Sequence, residues 1–166
     1  MGTGGLFLRK LRARVTSEPT GFVWVEKGKL AGSGYPASRG QVEWLVKAGV
    51  GSILTLTENA LPPEWLDGLG VTACNIPMKD HEMPSVEAME KGVDFIQERI
   101  REGKAVLVHC LAGQGRTGCV LSAYLIRTSG VGAEEAMAEL RKVKPAFVES
   151  RQEKAVYDFA ARQRES

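Results

Sequence analysis

A cysteine and an arginine six positions apart are the residues of this sequence best suited to chemistry. Cys110 follows an apolar run, 105–108, and Arg116 precedes a stretch, 117–128, with the periodicity of a helix. The apolar run is typical of a buried strand, so the sequence predicts a strand, a short loop and a helix. A thiol, a guanidinium and free backbone N–H groups at a helix N-terminus make a phosphate site with a nucleophile at its base.

The backbone N–H groups between these two side chains are predicted to bind phosphate. They belong to Leu111, Ala112, Gly113, Gln114, Gly115 and Arg116. Gly113 and Gly115 allow backbone conformations that other residues avoid, and the planar fork of Arg116 can bind two phosphate oxygens. The helix N-terminus and the cation both favour the thiolate form of Cys110. Thr117 can offer its hydroxyl to the same sulfur.

A dinucleotide-binding motif is an alternative interpretation of the same glycines. Gly113, Gly115 and Gly118 also spell G-x-G-x-x-G between a strand and a helix. That fold requires a second strand that ends on an acidic residue about 20 positions further on. Residues 132–142 are predicted to be helical instead, and the thiol and guanidinium would have no function. A Walker-type loop is disfavoured because no Gly-Lys-Ser/Thr follows the strand.

Residues 109–118 resemble the signature of the cysteine-dependent protein tyrosine phosphatases, His-Cys-x-x-Gly-x-x-Arg-Ser/Thr-Gly. The short chain, with its cysteine about two-thirds of the way along, is similar to small atypical dual-specificity phosphatases of the archaeal and VHZ-like type. Further similar stretches are 28–32, 54–58, 76–80 and 152–156. The resemblance covers most of the chain from about Gly21. It implies hydrolysis of phosphotyrosine, and also of phosphoserine and phosphothreonine, through a cysteinyl-phosphate on Cys110, with no cofactor and no metal.

Asp80 is the predicted general acid. It lies in a loop that contains two prolines and follows a predicted strand, 71–76, and therefore reaches the same edge of the sheet as the thiol. The resemblance implies a general acid in a loop of this kind, and such a loop can move as a lid. His81 and Glu82 are the alternative acids, and a solvated turn aspartate is the interpretation without a catalytic function.

Three other residues are predicted to support the site. His109 either tunes the loop through a hydrogen bond or is a structural histidine beneath it. Gln152 resembles a residue that positions the attacking water in related phosphatases, although an exposed helix residue fits the sequence equally well. Glu58 ends a strand near the expected site, where a loop or capping role is also open.

The loop composition favours protein substrates. Leu111 and Gln114 stand where the phosphoinositide phosphatases that this family resembles carry lysines, and Ala112 and Gly115 stand where RNA triphosphatases of this fold carry histidine and asparagine. We therefore expect phosphorylated proteins as partners, and phosphate, sulfate or vanadate as loop ligands. Lipid or RNA phosphates and a phosphate-binding module without catalysis remain alternatives.

Strands and helices alternate along the chain. Strands are predicted at 22–25, 29–31, 52–56, 71–76 and 105–108, and helices at 39–48, 63–69, 84–102, 117–128, 132–142 and 150–162. This order predicts an α/β fold, a three-layer sandwich in which helices flank a central, mostly parallel sheet.

Length and charge limit the remaining choices. The 166 residues suit one domain, predicted at 21–166 after a basic arm and linker at 1–20. A net charge of +2 argues against a nucleic-acid partner, and no apolar run is long enough to span a membrane. Three cysteines suggest a reducing compartment, and hence the cytoplasm. Organelle targeting by the Arg-rich arm and redox roles for Cys74 and Cys119 stay open.

Overall fold

A five-stranded, mostly parallel sheet forms the centre of the protein, whose computed structural model describes residues 18–166. The strands are β1 (Val23–Glu26), β2 (Leu30–Ser33), β3 (Val50–Thr55), β4 (Thr72–Asn75) and β5 (Ala105–His109). They lie in the order β1-β2-β5-β3-β4, and only the β1–β2 pair is antiparallel. Every residue of β5 is buried, as expected for the central strand of a parallel sheet covered on both faces.

Helices cover both faces of this sheet. They are α1 (Arg39–Lys47), α2 (Pro63–Leu66), α3 (Val86–Arg101), α4 (Gly115–Ser129), α5 (Ala133–Val143) and α6 (Glu153–Arg164), with a 3₁₀ turn at Ser150–Gln152. Leu107 packs with residues of α1 on one face, whereas Val106 and Val108 pack with α3 to α6 on the other. The predicted three-layer sandwich is therefore confirmed.

The predicted elements all exist, and their ends differ for local reasons. α3 begins at Val86 because the Ser85 side chain accepts a hydrogen bond from Ala88 N–H, which caps the helix after Pro84. α2 ends at Leu66 because the backbone turns at Gly68, where φ is +73°. The helix predicted at 150–162 is a 3₁₀ turn followed by α6.

The helix α5 decides between the phosphate and dinucleotide interpretations. A dinucleotide fold requires a strand after the phosphate-binding helix, but the chain passes from α4 through Gly130 directly into α5. Glu134 and Glu135 lie in the first turn of α5, where carboxylates stabilise the helix dipole. The dinucleotide alternative is therefore excluded.

The basic residues of the predicted N-terminal arm lie within 1–17, outside the described residues. Among residues 18–166, none of the helices has the length and apolar character needed to cross a bilayer.

Candidate active site

The loop 110–114 joins the carboxyl end of β5 to the N-terminus of α4. His109 closes β5 between Ser33 of β2 and Thr55 of β3, so the loop leaves the sheet at the edge where three parallel strands end. The side chain of Cys110, the first residue of the loop, is buried. The predicted strand, loop and helix are thus present, with the thiol at the base of the loop.

The loop backbone passes so close to β2 that only glycine fits at one position. Gly113 has a φ of +70°, and a Cβ there would lie 2.3 Å from the carbonyl carbon of Ser33. Both the left-handed conformation and this contact exclude a side chain. Gly113 therefore allows the loop to fold back tightly against the sheet.

Arg116 is buried in the first turn of α4, and its guanidinium faces two carboxylates. Nη1 donates to Oε1 of Glu58 at 2.9 Å and to the carbonyl of Met78 at 2.9 Å, and Nη2 lies 3.1 Å from Oδ1 of Asp80. The guanidinium is therefore fixed between the loop 110–114, which we call the phosphate loop after its predicted ligand, and the loop that carries Asp80.

Glu58 links these two charged residues to each other. Its Oε1 accepts a hydrogen bond from the backbone N–H of Asp80 at 3.1 Å as well as the bond from Arg116. The sequence left a site-edge role and a capping role open for this residue, and the structure places it at the site. The feature of the sequence that indicates this placement is the position of Glu58 just after β3, at the same sheet edge as the thiol.

His109 lies beneath the loop in a buried pair of hydrogen bonds. Nδ1 is 3.1 Å from the carbonyl of Cys110, which can only accept, so Nδ1 carries the proton. Nε2 therefore accepts from the hydroxyl of Thr55 at 2.8 Å. Burial lowers the pKa of His109 to about 4; the Arg116 charge lowers it too, and the bond to Cys110 opposes the shift. His109 is consequently a neutral imidazole near neutral pH.

Gln152 is fully buried, so the alternative of an exposed helix residue is wrong. Its Nε2 donates to the carbonyl of Glu82 at 3.1 Å. A Cβ added to Gly115 would lie 2.2 Å from its Oε1, so the amide packs directly against that glycine. Among the described residues, neither this oxygen nor the Thr117 hydroxyl has a hydrogen-bond partner. Gln152 thus lies between the loop of Asp80 and the first residue of α4, directly after the phosphate loop.

A cavity of about 240 Å³ opens beside Arg116. It is lined by Tyr35, Thr57, Glu58, Asn59, Asp80, Leu111 and Arg116. Leu111 is 60% exposed although it is a large apolar residue, and the Tyr35 backbone N–H donates to its carbonyl at 2.9 Å. An apolar and an aromatic residue therefore line the cavity beside its charged residues.

His81, one of the alternative acids, lies beside Asp80. It has a φ of +61°, its Nε2 is 3.5 Å from Asp80 Oδ2, and its Nδ1 is 2.6 Å from Arg151 Nη2. Burial raises the pKa of Cys119 to about 12, aided by the charges of Cys110 and Glu149. The residues from 18 to 166 contain no group of three His, Cys, Asp or Glu side chains arranged to hold a metal ion.

The sheet topology, together with the loop that joins Cys110 to Arg116, places the chain in the class of cysteine-dependent phosphatases with the protein tyrosine phosphatase fold. Residues 19–157 match the family model described as PTP-SAK, Swiss Army Knife protein, DSP-PTPase phosphatase domain. This match extends over most of the chain, and the chain belongs to that family.

Curated relatives carry phosphatase names. The chain is 33% identical over 108 residues to tyrosine-protein phosphatase cdcA of Emericella nidulans, a match that covers 64% of this chain and 18% of that protein. It is 31% identical over 127 residues to phosphatidylglycerophosphate phosphatase PTPMT2 of Arabidopsis thaliana, covering 74% of this chain and 56% of that protein. The chain therefore spans less than two thirds of the length of these relatives.

Solved structures share the fold. The crystal structure of Tk-PTP in the active form has a TM-score of 0.76 and 31% identity, and the match covers 85% of this chain and 97% of that one. The structure of PTPMT1 in complex with PI(5)P has a TM-score of 0.76 at 20% identity, covering 87% of this chain and 99% of that one. This second likeness concerns the fold alone.

Proposed function

We propose that this chain hydrolyses phosphomonoesters by covalent catalysis, with Cys110 as nucleophile, Arg116 as phosphate ligand and Asp80 as general acid. The observation that supports this most directly is the contact between Arg116 and Asp80 at the sheet edge where Cys110 follows β5. Arg116 lies in the loop-to-helix turn that begins at Cys110, and its Nη2 is 3.1 Å from Oδ1 of Asp80.

In the first step, the Cys110 thiolate attacks phosphorus and forms the S–P bond while the P–O bond to the leaving group breaks. Asp80 gives its proton to the departing oxygen, because an alkoxide or phenoxide leaves poorly without one. The loop N–H groups of residues 111–116 and the guanidinium of Arg116 stabilise the charge on the three equatorial oxygens.

In the second step, water cleaves the S–P bond and Asp80 accepts its proton. Gln152 is suited to orient this water because its side chain lies between the two loops and its Oε1 has no other partner among residues 18–166. Thr117, whose hydroxyl is also buried at the helix start, can donate to the departing thiolate. His109 supports the loop from below as a neutral donor.

Phosphorylated proteins are the substrates we propose, with phosphotyrosine as well as phosphoserine and phosphothreonine accepted. The cavity of about 240 Å³ combines the apolar Leu111 with the ring of Tyr35, a pairing suited to an aromatic phosphoester. Glu58 adds a carboxylate at the rim, which disfavours polyanionic headgroups. Separately, the three free cysteines lead us to propose a cytoplasmic location.

A lipid phosphate is the second candidate substrate. The observation that favours it is the 31% identity over 127 residues to a relative named phosphatidylglycerophosphate phosphatase. Inorganic phosphate, sulfate or vanadate should bind the loop in either case, because the N–H groups recognise the tetrahedral anion rather than the leaving group.

A substrate panel tests the proposal. Phosphotyrosine, phosphoserine and phosphothreonine peptides and vesicles that contain phosphatidylglycerophosphate are offered to the parental chain, Cys110→Ser and Asp80→Asn. Cys74→Ser is the matched control, because it makes the same change at a half-buried cysteine of β4. Release of phosphate by the parental chain and Cys74→Ser but not by Cys110→Ser is expected. Equal rates with Cys110→Ser would contradict the mechanism, and activity on vesicles alone would reassign the substrate.

A further inference from the structure

Two successive carbonyl groups of the phosphate loop are bound from outside the cavity by one segment, residues 144–149, which we call the connector because it joins α5 to α6 through the 3₁₀ turn. The ammonium of Lys144 donates to the carbonyl of Gly113 at 3.0 Å. The backbone N–H of Val148 donates to the carbonyl of Gln114 at 3.2 Å. The carbonyl of Gln114 also accepts a hydrogen bond from the Gly118 N–H of α4 at 2.9 Å. The connector and α4 together therefore orient the peptide that follows Gln114, whereas Lys144 of the connector binds the peptide that follows Gly113.

The orientation of a carbonyl determines the direction of the next N–H group. In a trans peptide the C=O and N–H point in opposite directions. Because the carbonyls of Gly113 and Gln114 point to the connector, the N–H groups of Gln114 and Gly115 point away from it. None of the connector residues lines the cavity beside Arg116. These N–H groups are thus turned toward the inner side of the loop, as an anion-binding backbone requires.

Lys144 is held where it can make this bond. Its Nζ also lies 3.4 Å from the carbonyl of Gly21 and 5.4 Å from the centre of the Phe147 ring. Burial lowers the pKa of Lys144, and the charge of Cys110 opposes the shift. A half-buried ammonium aimed at loop carbonyls differs from an ordinary solvated lysine at a helix C-terminus.

The connector itself is fixed in a conformation that its sequence does not favour. Val148 is β-branched and has a φ of +63°, a conformation that persists only where the surroundings determine it. Arg141 supplies those surroundings: Nε donates to the carbonyl of Phe147 at 3.0 Å, and Nη2 donates to that of Val148 at 2.9 Å. The segment that binds the loop carbonyls is therefore rigidly attached to α5.

We propose that Lys144 is a positioning residue of the active site, which holds the Gly113–Gln114 peptide so that the loop N–H groups face the phosphoryl group. The inference rests on the proposed function, because it assigns the orientation of the same anion site. Recognition of the equatorial oxygens would thus depend on a residue outside the loop itself.

Vanadate affinity and turnover in Lys144 variants test this role. Lys144→Met keeps an unbranched side chain and loses the donor to Gly113. We expect vanadate affinity and kcat/KM for an aryl phosphate to fall together, by roughly tenfold, as for a lost hydrogen bond from a charged donor. Lys144→Arg should restore most of both values. Lys142→Met is the matched control, since Lys142 pairs with Glu139 on the surface, and it should behave as the parental chain.

The outcomes separate this inference from the proposed function. Calorimetry measures vanadate binding without any turnover of substrate. If Lys144→Met binds vanadate as tightly as the parental chain, the positioning role is wrong and the proposed function is unaffected. Failure of the parental chain to bind vanadate overturns both. If thermal melting shows that Lys144→Met does not fold, Lys144→Ala, which also lacks the donor, decides the question: affinity equal to that of the parental chain contradicts the inference, and weakened affinity in a folded variant supports it.

Discussion

Arg116 Nη2 lies 3.1 Å from Asp80 Oδ1, so the proposed phosphate ligand and the proposed acid are already in contact. A phosphate dianion that binds Arg116 competes with this carboxylate for the same donors. The Asp80 side chain is about one-third exposed, so water screens the pair and its net contribution is small. Phosphate binding can therefore release Asp80 toward the leaving oxygen at little cost.

Asp80→Asn should separate anion binding from proton transfer. Removal of the competing charge should tighten vanadate or sulfate binding by about two- to fivefold. Turnover of alkyl phosphates should fall by about 10²- to 10⁴-fold, because the general acid is lost. An aryl phosphate with an electron-withdrawing leaving group, which needs less protonation, should lose less.

Calorimetry with vanadate and steady-state kinetics with both substrates measure these effects. Glu82→Gln is the matched control, because Glu82 was the alternative acid in the sequence and its side chain pairs only with Lys79 among residues 18–166. If Glu82→Gln rather than Asp80→Asn abolished turnover of alkyl phosphates, the acid would have to be reassigned.

Leu111→Ala should change the preference between aromatic and aliphatic phosphoesters. Leu111 is the most exposed large apolar residue in the described part of the chain, and its side chain lines the cavity beside Arg116. Truncation removes apolar surface that a phenyl ring would cover, worth about 1 kcal/mol. The KM for phosphotyrosine peptides should rise about fivefold, with little change for phosphoserine peptides. Val143→Ala, an exposed apolar residue of α5, should change neither value, and equal effects on both peptides would refute the contact.

The local part of the site could be predicted from the sequence because it is contiguous. Cys110 and Arg116 are separated by a loop whose glycines and flanking elements determine its path, and six neighbouring residues therefore specify the anion site. Asp80 could be placed because the carboxyl ends of parallel strands meet at one edge of the sheet. In the structure its carboxylate lies 3.1 Å from Arg116 Nη2.

Contacts made by long side chains between distant elements could not be predicted. Glu58 lies just after a strand, and nothing in its neighbours reveals that its carboxylate bridges Arg116 and a backbone N–H. Lys144 has the appearance of an ordinary cation at a helix end, yet its ammonium binds the carbonyl of Gly113, 31 positions away. The pattern of apolar residues predicts which faces are buried but not which distant polar groups meet across the loops.

His109 should make the protein less stable in mild acid. Its pKa is about 4 in the folded chain and about 6.5 in the unfolded chain, so between these values the unfolded state binds a proton that the folded state does not. Stability therefore falls as the pH decreases from about 6.5 to about 4, by about 1.4 kcal/mol per pH unit, and this contribution is constant below pH 4. Urea unfolding at pH 7 and pH 5.5 measures the difference. In His109→Gln the free energy of unfolding should fall less between pH 7 and pH 5.5 than in the parental chain. If it falls by the same amount, groups other than His109 cause the pH dependence.

Gly115 and Gln152 should be coupled in stability. A Cβ on Gly115 would lie 2.2 Å from Gln152 Oε1, and Gln152 is fully buried, so Gly115→Ala forces the amide away from its bond to Glu82. We expect Gly115→Ala to cost about 1–3 kcal/mol of unfolding free energy in the parental chain. In the Gln152→Ala background the same change meets no amide, and the higher helix propensity of alanine should make it neutral or stabilising by up to about 1 kcal/mol. Denaturant unfolding of the four proteins gives the coupling energy. Additive effects would mean that the amide does not occupy the space beside the phosphate loop, and the water-orienting role proposed for it would lose its structural basis.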